Sequence, residues 1–167
     1  GGYDPYSSSK GCAELVISAY RRSFFEKNSV GVASVRAGNV IGGGDWSDNR
    51  LIPDILSSFE NNKELIIRNP QAIRPWQHVI EPLAGYLDLS EKLYFNPKKF
   101  SSGWNFGPYP EDVKPVQWIV SKIADSWPKA SWKIQENEKA HEAQNLKLEI
   151  QKALKYLDWK PKLNINI

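Results

Sequence analysis

Methionine is absent from all 167 residues, and cysteine occurs once, at Cys12. A chain without methionine is expected to be a piece of a longer protein. A lone cysteine cannot close an internal disulfide, which fits a reducing, cytoplasmic setting. Cys12 itself reads as a small buried apolar residue of the first helix. No apolar run approaches the ~18 residues of a membrane span, and no signal-peptide pattern opens the chain. The 22 Lys and Arg residues are spread out rather than clustered, and the net charge is +3. Seven Trp and seven Tyr raise the idea of a nucleic-acid surface, but without a basic run it lacks its electrostatic footprint. A Gly-x-Ser-x-Gly elbow is missing, which argues against a serine hydrolase. His78 and His141 lie far apart with no cysteine beside them, so no metal site is expected. A glycine fingerprint for a dinucleotide, set between a strand and a helix, is also missing. Gly42-Gly43-Gly44 does not supply it, because Asp45, Trp46 and Asp48 follow rather than a helix face.

What is present is an ordinary globular composition, 41% hydrophobic and 25% charged, enough for one domain with a core of its own. The chain opens with Asp4-Pro5, which reads as a helix entry: an Asp N-cap, then proline where no backbone bond is lost. Tyr6 and Lys10 then fall one turn apart on the same face. An ammonium beside a phenol favours the phenolate, which makes an acid–base pair out of two ordinary side chains. The alternative is a surface Tyr and Lys on a plain helix. The helix runs from residue 5 to about 27, with Ala13, Val16, Ile17, Tyr20 and Phe24 in one apolar stripe and Cys12, Leu15 and Ala19 in another. So wide a stripe predicts burial on two sides, either within the core or between a sheet and a partner subunit.

Gly31 to Arg36 reads as a short, buried parallel strand, and helix followed by strand is the rhythm of an α/β sheet. The strand feeds the Gly-rich loop from Ala37 to Asp45. In open α/β sheets, ligands bind at the carboxyl ends of strands, so Asn39 and the loop amides are candidate ligand contacts. The other reading is a turn that needs positive φ. Arg50, Arg68 and Arg74 suit one anionic ligand, because guanidinium bonds phosphate bidentately. A helix is expected from Pro53 to about Asn61, with Ile55, Leu56 and Phe59 inward. Strands are expected at Leu65 to Arg68 and Ile73 to Val79, the latter at an edge or irregular because of Pro75. Glu81 to about Tyr94 reads as a helix with Leu83, Leu87 and Tyr94 inward, and Pro97 to Gly103 as a loop. Trp104 to Pro108 is a strand and turn. A helix follows Pro115, a strand spans Trp132 to Ile134, residues 135 to 145 form a loop, and Gln151 to Leu157 a short helix. His78 reads as structural, and Asn105 serves equally as a ligand contact or as turn chemistry.

Several of these segments together carry a family resemblance. Asp4-Pro5-Tyr6-Ser7-Ser8-Ser9-Lys10, Arg36-Ala37-Gly38-Asn39-Val40-Ile41-Gly42-Gly43-Gly44-Asp45-Trp46, Arg50-Leu51-Ile52-Pro53 and Ile73-Arg74-Pro75-Trp76-Gln77-His78-Val79 occur in that order. The chain resembles the extended short-chain dehydrogenase/reductases of the NAD-dependent epimerase/dehydratase kind, and among them the CDP-glucose 4,6-dehydratases, from residue 1 to about 163. The resemblance implies an α/β fold: the C-terminal part of a Rossmann-type doubly wound parallel sheet, plus a smaller mixed α/β substrate-binding region. Residues 1–40 would end the NAD-binding domain. Residues 41–167 would be mainly substrate-binding, with segments around 73–106 returning to the first domain. It implies NAD as cofactor, CDP-glucose as substrate, and a homodimer or higher homo-oligomer, with neither nucleic acid nor membrane as a partner. Tyr6 would take the proton of the sugar 4-hydroxyl, and Lys10 would hold the nicotinamide ribose. Asn39, Arg50, Leu51, Ile52, Arg68, Arg74 and Asn105 would line the nucleotide sugar, with a further substrate-facing region around His141-Glu142-Ala143. The dinucleotide loop and the remaining acid–base groups would precede residue 1, and a further helix would follow the last residue. This piece alone is then expected to be inactive. Other epimerases or dehydratases of the family, or a non-catalytic nucleotide-sugar-binding module, remain alternatives.

Overall fold

The computed structural model describes residues 4–135 and 144–165. In chain order the elements are α1 (Pro5–Tyr20), continued by a π-helical turn (Arg21–Phe25) and a 3-10 turn (Glu26–Asn28), then β1 (Ser34–Ala37), β2 (Asn39–Ile41), α2 (Leu51–Glu60), β3 (Leu65–Ile67) and β4 (Ile73–His78). They continue with α3 (Ile80–Phe95), α4 (Pro97–Phe100), β5 (Gly103–Phe106), a 3-10 turn (Pro110–Asp112), β6 (Val113–Pro115), α5 (Val116–Asp125), β7 (Trp132–Ile134) and α6 (Gln151–Tyr156). The described residues fall into two compact units. The first takes residues up to Ala37, Pro82–Phe106 and Glu149–Lys160; the second takes Gly38–Glu81, residues between Gly107 and Leu148, and those from Pro161 onward.

In the first unit β1 and β5 pair in parallel, Ser34 opposite Gly103 and Ala37 opposite Phe106. The core is Leu89, Phe100, Trp104, Phe106, Ala153, Leu157 and Trp159. Phe106 meets Trp159 edge-on at 4.9 Å and Tyr86 at 5.4 Å. The buried Trp104 indole satisfies its N–H on the Phe100 carbonyl at 2.9 Å, as a buried indole must. On α3 the inward face is Pro82, Gly85, Tyr86, Leu89 and Leu93. Leu83, Leu87 and Tyr94, expected inward, are exposed. Both faces of α3 carry apolar side chains, and Gly85 decides between them: a Cβ there would stand 2.3 Å from the Phe106 ring. The expected loop after Tyr94 is instead α4, with Asn96 as N-cap bonded to the Lys99 amide and Pro97 at the first position. That cap–proline signal was legible and is the same one that opens α1.

The second unit holds a three-stranded sheet ordered β2-β4-β6, with β2 parallel to β4 and β6 antiparallel to it, and a separate parallel pair of β3 and β7. Its core is Ile55, Phe59, Leu65, Ile67, Trp76, Ile119 and Val120. Pro75 therefore sits on a central strand, not an edge. It is tolerated because the β2 ladder begins one residue later, with Asn39 opposite Trp76. Gly38, just before that pair, is obligatory: a Cβ there would be 2.3 Å from the Pro75 carbonyl oxygen. Gly38→Ala must therefore push β2 and β4 apart, and a urea midpoint lower than wild type is expected. An unchanged midpoint would show that the strands give way freely. The chain after Pro161 is pinned by two buried carboxylates. Glu81 accepts from the Lys162 and Leu163 amides at 3.0 and 2.7 Å, and Asp112 from the Ile165 amide at 3.2 Å.

Candidate functional site

In the first unit α1 starts as its sequence dictates. The Asp4 carboxylate accepts from the Ser7 amide at 2.9 Å and the Ser7 hydroxyl at 2.6 Å, and these bonds hold its pKa below the ordinary 3.8. From that start Tyr6 and Lys10 share a face, with the Lys10 ammonium 5.4 Å from the Tyr6 ring centroid. The Tyr6 side chain is 71% exposed, so its hydroxyl is open to a ligand.

The rest of α1 departs from expectation. No residue of the helix is buried. Leu15, Val16, Tyr20 and Phe24 are all more than half exposed, and Cys12 is exposed too. The face turned inward is Ser7, Gly11, Glu14, Ile17, Ser18 and Arg21, at helical spacing but mostly polar. Likewise β1 buries only Ser34, and β5 is its one partner among the described residues. The helix therefore lies on the β1–β5 pair through polar groups. Glu14 accepts from the Ser34 hydroxyl at 2.8 Å and from Arg36 Nε and Nη2 at 2.7 and 2.6 Å. Arg36 Nη1 donates to Asn105 Oδ1 at 3.0 Å, and Asn105 Nδ2 to the Glu149 carbonyl at 3.0 Å. Asn105 thus keeps one amide hydrogen and one lone pair for a ligand.

The Arg36 bonds, ahead of the opposing effect of burial, hold the Glu14 carboxyl below its ordinary 4.5. With a folded pKa below the unfolded one, its contribution to stability is complete above about pH 4.5 and is lost as pH falls through the folded value. Both side chains are more than a third exposed, so the loss is small. An acid titration of Glu14→Gln should accordingly lack that small acid-side component and otherwise follow the wild type.

The remaining predicted site residues lie in the second unit. Asn39 heads β2 beside Trp76. Arg74 is 8% exposed, with Nη1 donating to the Ile73 carbonyl at 2.9 Å. Arg50 holds the N-cap position of α2 without a side-chain cap bond and pairs with Asp45 at 2.9 Å just past the Gly-rich loop, with Trp46 between them 69% exposed. Leu51 and Ile52 start α2, two residues earlier than expected, and are half-buried against the core. Arg68 is exposed just after β3, and its charge partly offsets the burial and Asp48 repulsion that raise the Asp54 pKa. His78 is exposed and accepts from the Ile80 amide at 3.2 Å. His141-Glu142-Ala143 lie outside the described residues. Sequence reasoning missed Glu14 and Arg36 as a pair, since nothing in their spacing links a helix to a strand 22 residues on.

These features define an α/β protein with a Tyr–Lys helix and an arginine-bearing second unit, and comparisons with known proteins bear on its family and fold. The sequence matches the NAD dependent epimerase/dehydratase family over residues 3–96. The chain belongs to that family. A curated relative, the CDP-glucose 4,6-dehydratase of Salmonella typhimurium strain LT2, is 60% identical over 97% of this chain and 47% of its own length. Among solved structures, DesIV, a dTDP-glucose 4,6-dehydratase from Streptomyces venezuelae with NAD and TYD bound, is similar with a TM-score of 0.78 at 19% identity, over 97% of this chain and 47% of that one. A UDP-N-acetylglucosamine 4-epimerase from Methanobrevibacter ruminantium M1 gives a TM-score of 0.76 at 17% identity, over 97% and 49%. The fold is thus of the Rossmann-type epimerase/dehydratase kind, and the chain spans about half the length of the relatives it matches. Among the described residues no helix is long and apolar enough to cross a membrane.

Proposed function

We propose that this chain is the part of a CDP-glucose 4,6-dehydratase that carries the Tyr–Lys helix and most of the nucleotide-sugar side, forming CDP-4-keto-6-deoxyglucose. The observation that supports this most is the 60% identity to the curated enzyme along nearly the whole chain. NAD fits the donor set of α1, where an exposed phenol and an ammonium one turn apart match the hydroxyls of a nicotinamide ribose. Tyr6 and Lys10 would hold it there, and it supplies the site with a hydride acceptor that later gives the hydride back. Tyr6 Oη takes the proton of the sugar 4-hydroxyl, and the Lys10 charge stabilises the phenolate while it does so. Arg74 reaches the diphosphate, with Arg50 and Arg68 adding positive charge. Asn39 binds the sugar–phosphate portion, Leu51 and Ile52 lie along the nucleoside, and Asn105 offers its remaining amide valences.

The test is turnover of CDP-glucose by a chain of the relatives' full length, read as the ultraviolet absorbance of the 4-keto sugar in alkali. The 167-residue chain alone should show none, and measurable turnover by it would overturn the half-site reading. Arg74→Ala in the long form removes one charge-assisted diphosphate bond of about 1.5–3 kcal/mol. It should raise the CDP-glucose Kd at least tenfold in calorimetry, with a smaller effect on kcat. The exposed apolar side of α1 and the π-helical turn after it, Leu15, Val16, Tyr20 and Phe24, supports a homodimer built on this segment. Sedimentation of the long form should give at least a dimer, and Val16→Glu should weaken it.

A further inference from the structure

Helix α1 carries the proposed catalytic pair yet buries no side chain, so apolar packing does not index it. Its inward face has one large apolar residue, Ile17, and Glu14 stands at its centre. Three donors converge on that carboxylate: the Ser34 hydroxyl and two nitrogens of the Arg36 guanidinium. The third arm of the guanidinium reaches Asn105 on the neighbouring strand, and Asn105 reaches the Glu149 carbonyl. Gly103 leaves room for this, since a Cβ there would stand 2.7 Å from Arg36 Nη2. At this exposure an ion pair adds little stability. A fork with each arm on a separate acceptor does fix direction, which a lysine cannot do. Arg36, Asn105 and Glu149 also lie within two residues of points where the chain passes between the two units.

We propose that Glu14, Arg36 and Asn105 form a positioning relay. It sets the rotation and height of the helix bearing Tyr6 and Lys10 against the ends of β1 and β5, from which the chain leaves the first unit. Glu14 lies one turn beyond Lys10 and two beyond Tyr6, so a shift at Glu14 displaces both. The catalytic consequence rests on the function proposed above, whereas the anchoring of α1 does not. Misplacing a reacting pair by about 1 Å costs rate far more than binding.

Two readouts test it. In the 167-residue chain, Arg36→Lys keeps the charge and removes the fork. Amide hydrogen exchange in residues 5–20 should quicken several-fold, with Trp104 and Phe106 unchanged; unaltered exchange in α1 overturns the relay. In the full-length enzyme, Arg36→Lys and Glu14→Gln should each lower kcat at least tenfold with KM for CDP-glucose within threefold, and the double variant should lose no more than either single one. Additive losses, or equal losses of kcat and binding, overturn it. Absence of turnover by the unmutated full-length protein overturns the proposed function instead, and the exchange measurement then decides the relay alone.

Discussion

On the proposed function, replacing Tyr6 by Phe in a chain of the relatives' full length is expected to lower turnover of CDP-glucose by a factor of about 10²–10⁴, the range a positioned acid–base group contributes. Binding of CDP-glucose should change no more than a few-fold. Phenylalanine keeps the ring that lies under the Lys10 ammonium and removes the hydroxyl alone. The proton path is then gone while the binding surface is preserved. A variant that loses an interaction made only in the transition state drops kcat and kcat/KM together. Because Tyr6 is exposed, with no packing to lose, the melting temperature should stay at the wild-type value. Parallel losses of affinity and rate would instead make Tyr6 a binding residue.

The second large effect is on stability. Phe106 is fully buried between Trp159, Tyr86 and the backbone of Gly85, and truncation to alanine is expected to cost about 3–5 kcal/mol. Urea unfolding followed by tryptophan fluorescence measures it. Gly85→Ala alone should also destabilise, because the new methyl and the ring occupy the same space. Placed in the Phe106→Ala chain, the same substitution should cost less or even help, since the methyl then enters the cavity. The two changes are in contact and must not add. Additivity would mean that the ring and the glycine do not share that space.

The order of helices and strands was readable wherever a cap or a period marked it. The helix entry at Asp4-Pro5, the strand read at Trp104 and the helix read after Pro115 all correspond to elements that are present. What failed was the choice of face. The apolar positions of α1 and α3 define wide stripes, and the sequence carries no mark for which side meets the core. On α3 the choice is made by Phe106 against Gly85, a contact 21 residues apart. On α1 a polar face turns inward because Ser34 and Arg36 offer Glu14 three bonds. Pro75 misled for a related reason: strand position depends on register with Gly38 and Asn39, which no local rule supplies. At the candidate site, the shared face of Tyr6 and Lys10 was legible from the helix entry at Asp4-Pro5, whereas the bonds among Glu14, Arg36 and Asn105 join three segments and so left no local signature.

The way the first unit is assembled bears on how the chain acquires its structure. Arg36 and Asn105 are neighbours on paired strands but lie 69 residues apart, and the Asn105–Glu149 bond spans a further 44. Trp159 and Leu157 complete the core only from the last segment. Each pairing closes a long loop before any contact rewards it, which slows folding in proportion to contact order. During synthesis the part of the core that Leu157 and Trp159 supply is missing until residue 159 has been made. That interval leaves apolar strands open to mispairing, so chaperone demand should rise most for variants that delay docking of the final segment.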